Sequence, residues 1–381
     1  MDFAFTKEQL QLKASVVDFA KRELNKNLRS NEEQERFPRE AWRECAKFGI
    51  QGLPVPPEFG GSGSDIMSTV LMMEGLGYAC KDNGLIFSLN AQMWSLELPL
   101  LEFGTPDQKK KYLPKLVSGD IIGVHAMTEP DSGSDAFSLR TSASVQGEKY
   151  VLNGSKLYIT NAPIADVVIV FATLRPGTGF AGVSAFLVEK DTPGFKVGLP
   201  LKKMGLRTSP MSEVILSDCE IPAENRLGKE GAGMAVFNSS IEWERSCILA
   251  SAVGAMQRQL EECVEYARTR KQFGQPIGKF QSISNKVADM YLRLESARLM
   301  IYKVAWLKQE GKPATAEAAA AKTFTSEAWV QSCLDAIQIH GAYGYMRDSG
   351  IERDLRDSVA GTIYSGTSEI QRLIIARTLG L

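Results

Sequence analysis

Apolar residues recur at helical spacing from Thr6 to about Gly119. Leu10, Val16, Val17, Ala20 and Leu24 form one stripe, and Thr6 with Gln9 reads as the capping box in front of it. Pro38 opens a second helix that carries Trp42, Cys45 and Phe48 and stops at Gly49. Gly52 to Gly63, rich in Pro and Gly, breaks every regular pattern and reads as a loop. Helical spacing resumes over Ser64 to Tyr78 and Asn83 to Phe103, and Thr105-Pro106 opens a further helix towards Leu116. From Ile121 to Leu227 the period changes to short β-branched runs at Tyr150 to Leu152, Val167 to Leu174, Val183 to Glu189 and Glu213 to Leu216. Gly and Pro separate them, and Asn153-Gly154 reads as a hairpin turn. From Gly231 long helices return over Ala232 to Arg270, Gln281 to Glu310 and Thr315 to about His340, with a last one from near Thr367 to near Leu379. The pattern predicts an α+β chain: an N-terminal helical domain (1–120), a small middle β domain (121–230) and a C-terminal four-helix bundle (231–381).

Bulk properties narrow the function. At 44% hydrophobic and 23% charged residues the chain has the make-up of a water-soluble globular protein, and its formal net charge of −1 argues against a nucleic-acid or membrane-surface binder. No apolar run approaches the ~18 residues of a membrane span. The start, Met-Asp-Phe-Ala-Phe-Thr-Lys, has no apolar or Arg-rich leader, which predicts a cytoplasmic protein. Six dispersed cysteines without a C-x-x-C are expected to be buried free thiols. Two histidines, His125 and His340, leave almost nothing for a metal site or a Ser-His-Asp triad, so no metal is expected.

Three stretches carry chemistry. Met127-Thr-Glu-Pro-Asp-Ser-Gly-Ser-Asp135 combines small residues with the Thr128 and Ser134 hydroxyls, suited to a carbonyl-rich ring or a phosphate, although an Asx-type turn has the same composition. In Asn153-Gly-Ser-Lys-Leu-Tyr-Ile-Thr-Asn-Ala162, alternation places Tyr158 and Thr160 on one strand face, able to wall a flat heterocycle. Gly361-Thr-Ile-Tyr-Ser-Gly-Thr-Ser-Glu-Ile-Gln-Arg372 joins a turn to a helix that Thr367 or Ser368 can cap. That helix start could hold an anionic or carbonyl group, and it is equally how an ordinary surface helix begins.

In this order, and with Lys203-Met-Gly-Leu-Arg207, Arg268-Thr-Arg-Lys-Gln-Phe-Gly274 and Gln338-Ile-His-Gly-Ala-Tyr-Gly-Tyr345, the chain resembles the acyl-CoA dehydrogenase family of FAD enzymes over essentially its whole length. The resemblance implies that family's fold, a flavin between the β domain and the bundle, a homotetramer built as a dimer of dimers, and an electron-transfer flavoprotein as acceptor. By matching position, Met127, Thr128, Gly133 and Ser134 would face the isoalloxazine ring, with Tyr158 and Thr160 on the opposite wall. Thr367 and Glu369 would lie near the adenosine half. Arg270, Phe273, Gln281, Gln338, Gly341 and Ala342 would hold the diphosphate and adenine of a neighbouring subunit's FAD, a task to which a planar cation and a close-approaching glycine backbone are suited.

The family reaction removes the α-hydrogen of an acyl thioester as a proton, and most members use a Glu directly after the Tyr of a Tyr-Glu-Gly-Thr motif. Here that place is Ser365, too weak a base unless another group takes its proton. Its backbone N–H would still polarise the thioester carbonyl, beside Tyr364. Isovaleryl and long-chain members carry the base on the first long bundle helix, just before an Arg, which matches Glu244 before Arg245. The helix wheel supports it: Phe237, Ile241, Glu244, Ile248, Ser251 and Ala255 form a largely apolar stripe, where desolvation raises a carboxyl pKa, although an ion pair with an Arg at a subunit contact would also fit. Glu242 falls on another face and resembles the acidic residue along the pantetheine channel. Ser134, Glu242, Arg245, Tyr364 and Ser365 are therefore the expected substrate contacts.

The expected activity is α,β-dehydrogenation of an acyl-CoA to the trans-2-enoyl-CoA. Two alternatives are the same chemistry on a carrier-protein thioester in secondary metabolism, and a non-redox flavoprotein that has lost the usual base. The uncharged, bulky stretch Phe87 to Ser95 suggests a short or branched acyl group.

Overall fold

The computed structural model describes residues 4–381, so the first three residues of the N-terminal stretch lie outside the described residues. The helical first block comprises α1 (Lys7–Glu23), α2 (Leu28–Glu33), α3 (Arg39–Phe48), α4 (Ile66–Ala79), α5 (Asn83–Gln92), α6 (Leu98–Phe103) and α7 (Pro106–Val117). The expected capping box closes α1: Gln9 N donates to Thr6 Oγ1, and Thr6 N to Gln9 Oε1, both at 3.1 Å. Asn83 to Phe103 is not one α-helix. Between α5 and α6 the chain makes a π-helical turn over Met93–Glu97, which inserts one extra residue into the ladder.

A mixed sheet follows, with β1 (Gly123–Ala126), β2 (Ser142–Gln146), β3 (Lys149–Thr160), β4 (Val167–Thr173), β5 (Val183–Glu189), β6 (Phe195–Val197), β7 (Met211–Pro222) and β8 (Arg226–Leu227). Its order is β6-β7-β3-β2-β4-β5-β8, and β1 runs parallel to β4. β4 shows why a continuous apolar run belongs here. Val168, Val170 and Ala172 pack into the core shared with the helices, while Val167, Ile169 and Phe171 pack into a second core under α6 and α7, so both strand faces are buried.

Asn153-Gly154 is a correction. It is not a turn but lies inside β3, where the register against β7 slips between Leu152 and Gly154. β2 and β3 are joined instead at Gly147-Glu148, Gly147 supplying the positive φ of 62°. The Asn-Gly pair is used as a bulge because Gly154, at φ 146°, would bring any Cβ within 2.6 Å of the Thr141 hydroxyl.

The C-terminal block holds α8 (Gly233–Cys247), α9 (Ala250–Thr269), α10 (Gln281–Gln309), α11 (Thr315–His340), α12 (Ala342–Tyr345), α13 (Ile351–Val359) and α14 (Ser368–Thr378). The single helix expected from Ala232 to Arg270 is broken at Ile248-Leu249. Ser246 Oγ donates to the Glu242 carbonyl four residues back at 2.6 Å, a bond that bends helices, and Ser251 Oγ reaches the Ile248 carbonyl at the break. α9 then crosses α4 at backbone distance. A Cβ on Gly77 would stand 1.9 Å from the Ser251 carbonyl oxygen, and one on Gly254 would stand 1.9 Å from that of Glu74. All six cysteines are buried free thiols, and no helix among the described residues is long and apolar enough to cross a membrane.

Because the obstacle at this crossing is backbone rather than a movable side chain, Gly254→Ala is expected to push α4 and α9 apart. The cost should be about 1–3 kcal/mol, typical of overpacking. A denaturant titration checks it, and an unchanged midpoint would contradict the close crossing.

Candidate active site

Glu244 lies on the last turn of α8, next to the helix break. Its Oε1 accepts from Ser95 Oγ, in the π turn, and its Oε2 accepts from Ser365 Oγ. Part of the side chain remains accessible, but the carboxyl is closely surrounded. Burial raises its pKa above the usual carboxylate range, opposed by the Ser365 and Ser95 hydrogen bonds and by the positive charges of Arg245 and Lys322. Arg245 Nε reaches the Ser365 carbonyl at 3.4 Å, so the two neighbours Glu244 and Arg245 hold the side chain and the backbone of the same serine. Ser365 itself sits at φ 54°, a left-handed conformation uncommon for a residue with a Cβ. Lys322, fully buried on α11, donates to the Gly366 carbonyl at 2.7 Å, and burial lowers its pKa to about 8.

Aromatic side chains close the surroundings. Phe87 meets Tyr364 at 4.8 Å between ring centroids, and both line a cavity of about 20 Å³ with Asn90, Ile248 and Trp329. Trp94, buried in the π turn, stacks on Trp243 at 6.2 Å. Glu242 is engaged in an ion pair with Lys308 at 2.8 Å, and the Lys308 ammonium also stands 4.5 Å over the Trp243 ring.

The two stretches expected to flank a flat ring are joined by hydrogen bonds. Leu157 N donates to the Thr128 carbonyl at 2.9 Å and Lys156 Nζ to the Met127 carbonyl at 3.2 Å, while Lys156 pairs with Glu129 at 2.7 Å in the interior. Met127 is buried, Thr128 is half-buried, and Gly133 and Ser134 are exposed. The strand alternation assumed for Tyr158 and Thr160 is interrupted. A second register slip falls between Lys156 and Ile159, and Tyr158 has φ 60°. Tyr158 is nonetheless exposed and Thr160 half-buried on either side of buried Ile159, which leaves a ring and a hydroxyl available to a ligand.

Arg270, Phe273, Gln338, Gly341 and Ala342 all line one open pocket of about 720 Å³ at the far end of α9. Gln281 adjoins it between Phe280 and Ser282, which line it. Phe273-Gly274 is the two-residue turn of a hairpin between β9 (Lys271–Gln272) and β10 (Gln275–Pro276), both at positive φ, and the Phe273 ring is 93% exposed. Gly341 has φ 59° and ψ −140°, a conformation essentially restricted to glycine. A cation, an exposed aromatic and a bare backbone turn suit a diphosphate joined to a base. The 20 residues of α9 place this pocket about 30 Å from Glu244. Thr367 caps α14, accepting from Ile370 N at 3.3 Å, and Glu369 is exposed in its first turn.

Comparison with known proteins agrees along the whole chain. The family descriptions "Acyl-CoA dehydrogenase, N-terminal domain", "middle domain" and "C-terminal domain" match residues 6–120, 125–219 and 231–380. The chain belongs to the acyl-CoA dehydrogenase family. It is 44% identical, over 100% of its length and 99% of the relative's, to an L-prolyl-[peptidyl-carrier protein] dehydrogenase of Serratia sp. (strain ATCC 39006). Among solved structures it is similar to the prolyl acyl carrier protein oxidase AnaB (TM-score 0.98, 53% identity, 99% of this chain and 100% of that one). It is also similar to PigA with FAD and proline (TM-score 0.98, 44% identity, 100% of both).

Within this member of the acyl-CoA dehydrogenase family, two residues at the site escape sequence reasoning. Ser95 lies at the end of the pocket stretch, but only the π turn aims it at Glu244. Lys322 follows the alanine run Ala318–Ala321, a pattern that announces a buried helix face without explaining a lysine on it. Glu97, in the same π turn, is buried, with Gln92, at 2.8 Å, the only side chain donating to it among the described residues, and burial pushes its pKa up from 4.5 to about 8. A carboxyl whose folded pKa is raised favours folding below its unfolded value and loses that contribution as pH rises through the folded one. Stability should therefore fall between about pH 4.5 and 8, and Glu97→Gln should flatten that fall in denaturation curves taken across the range.

Proposed function

We propose that this protein is an FAD-dependent dehydrogenase that oxidises the α,β bond of a prolyl group held as a thioester on a carrier protein. The observation that carries the reading is Glu244: a raised-pKa carboxyl whose two oxygens are held by Ser95 and by Ser365, the serine at the place where most of the family has its base. The names of the similar proteins support the choice of carrier and acyl group.

In the proposed reaction the Cα proton passes to a Glu244 oxygen, the hydrogen on Cβ leaves as hydride, and a Cα=Cβ bond remains. FAD supplies the acceptor for that hydride when bound. Glu244 must be ionised to start, so activity rises with pH through its pKa, and the acid limb should lie above the usual carboxylate range. The Ser365 N–H polarises the thioester carbonyl, and Arg245 steadies the Ser365 backbone through its carbonyl. Met127, Thr128, Gly133, Ser134, Tyr158 and Thr160 would hold the flavin ring, and Thr367 and Glu369 its adenosine half. The pocket of Arg270, Phe273, Gln281, Gln338, Gly341 and Ala342 would serve the FAD of a neighbouring subunit in a homotetramer, with an electron-transfer flavoprotein as the acceptor of its electrons.

Anaerobic mixing with a prolyl-loaded carrier protein should bleach the oxidised flavin absorbance. Bleaching by short acyl-CoA thioesters alone would make free coenzyme A esters the substrate, and an unbleached flavin with every thioester would favour a non-redox role. Glu244→Gln should keep its flavin and lose about 10²–10⁴-fold in the rate of reduction, the usual worth of a general base. Arg270→Ala should retain flavin roughly ten-fold less tightly, about 1.4 kcal/mol, in a dialysis assay of bound FAD.

A further inference from the structure

We infer that Ser95 is a positioning residue for the base: with Ser365 it forms a two-hydroxyl clamp on the Glu244 carboxylate, and the π turn is the device that delivers it. The inference rests on Glu244 being the base. The two hydroxyls come from distant parts of the chain and take different oxygens of the carboxylate, Ser95 on Oε1 and Ser365 on Oε2. A carboxylate with a donor on each oxygen cannot turn about its terminal bond without breaking one of them. Each oxygen keeps a further acceptor site, so the clamp leaves room for the incoming proton.

The backbone around Ser95 is built for this contact. A helical serine commonly returns its hydroxyl to the carbonyl four residues back, as Ser246 does. Ser95 spends its hydroxyl across the domain boundary instead. One inserted residue rotates the following side chains by about 100° around the helix, enough to turn a serine from one face to another. The insertion is pinned on both sides. Trp94 Nε1 donates to Asn90 Oδ1 at 2.7 Å, and Gln92 Nε2 donates to Glu97 Oε1 at 2.8 Å, all four side chains being buried. The other titratable and charged groups facing Glu244 are Arg245 on its own helix, Lys322 on α11 and Tyr364 on the loop before α14. Of these only the two cations also favour the ionised form, and neither forms an ion pair with it among the described residues. The hydroxyls are therefore its direct donors.

Donors to the charged form favour it, so removing either should move the Glu244 titration upward by about one pH unit, and removing both should move it further. The test uses the FAD-loaded enzyme as wild type, Ser95→Ala, Ser365→Ala, the double variant and Glu244→Gln. Single-turnover flavin reduction by a prolyl-loaded carrier protein is followed across pH. In parallel, infrared difference spectra against Glu244→Gln read the protonated-carboxyl band of Glu244 without substrate. The clamp predicts an acid limb and an infrared midpoint that rise together in each serine variant, with flavin content and unfolding midpoint near wild type. An unshifted limb and midpoint in Ser95→Ala would overturn it, as would a shift confined to Ser365→Ala. Should Glu244→Gln reduce its flavin at the wild-type rate, the base assignment itself falls, and the infrared arm still reports whether the serines hold the carboxylate.

Discussion

A carboxylate taken out of water loses solvation worth several kcal/mol, and the surrounding protein must return most of it through donors and opposite charge if the group is to be ionised. Glu244 shows how this chain meets the demand. Two neutral hydroxyls touch the carboxyl directly, while the cations Arg245 and Lys322 stand back and are themselves committed to carbonyls of the loop before α14. A direct ion pair would have held the carboxylate at low pKa and made it a poor acceptor for a carbon-bound proton. Hydroxyl donors moderate the cost of burial without cancelling it, which leaves the pKa raised and the group competent as a base.

Three departures from regular backbone converge on that one carboxyl. The π turn carries Ser95, the interruption between α8 and α9 falls four residues after Glu244, and Ser365 adopts a left-handed φ. Each is costly by local propensity, and each is held by packing that has no slack. The crossing of α4 and α9 at Gly77 and Gly254 fixes the bundle against the first helical domain at backbone distance, and the cavity beside Tyr364 leaves room for about one water. Strain of this kind persists where the surroundings over-determine it, so the tight crossing and the irregular site belong to one mechanical arrangement.

How much of this could be read beforehand follows from the same physics. Capping at Thr6, the buried run of β4 and the C-terminal helices were legible because each is set by residues within a few positions of one another. Glu244 was singled out by resemblance to members that carry the base on this helix, and the apolar stripe around it implied the desolvation that raises its pKa. The Asn153-Gly154 pair was misread because turn chemistry and bulge chemistry use the same residues, and only the partner strand decides between them. Ser95 was legible only as the end of an uncharged pocket stretch, with no signal that it meets Glu244. Its importance depends on one inserted residue in a helix and on a partner 149 residues away, neither of which periodicity reports.

Distance constrains the rest of the reading. The residues around Glu244 and those around Arg270 lie at opposite ends of α9, about 30 Å apart for its 20 residues. The Arg270 pocket presents Phe273 on a hairpin tip with 93% of its surface uncovered, and Tyr343 beside it is exposed as well. Phe273, held out at positive φ on the hairpin turn, gains nothing in a lone chain, because it gives up burial and accepts backbone strain together. That arrangement becomes favourable when a second body covers the ring. A pocket with a cation and open glycine backbone at one end of the bundle, and a base with hydroxyl donors at the other, is therefore the arrangement expected if each chain completes a cofactor site on its neighbour. The resemblance implies such an assembly, and the exposed Phe273 beside an open pocket is compatible with it.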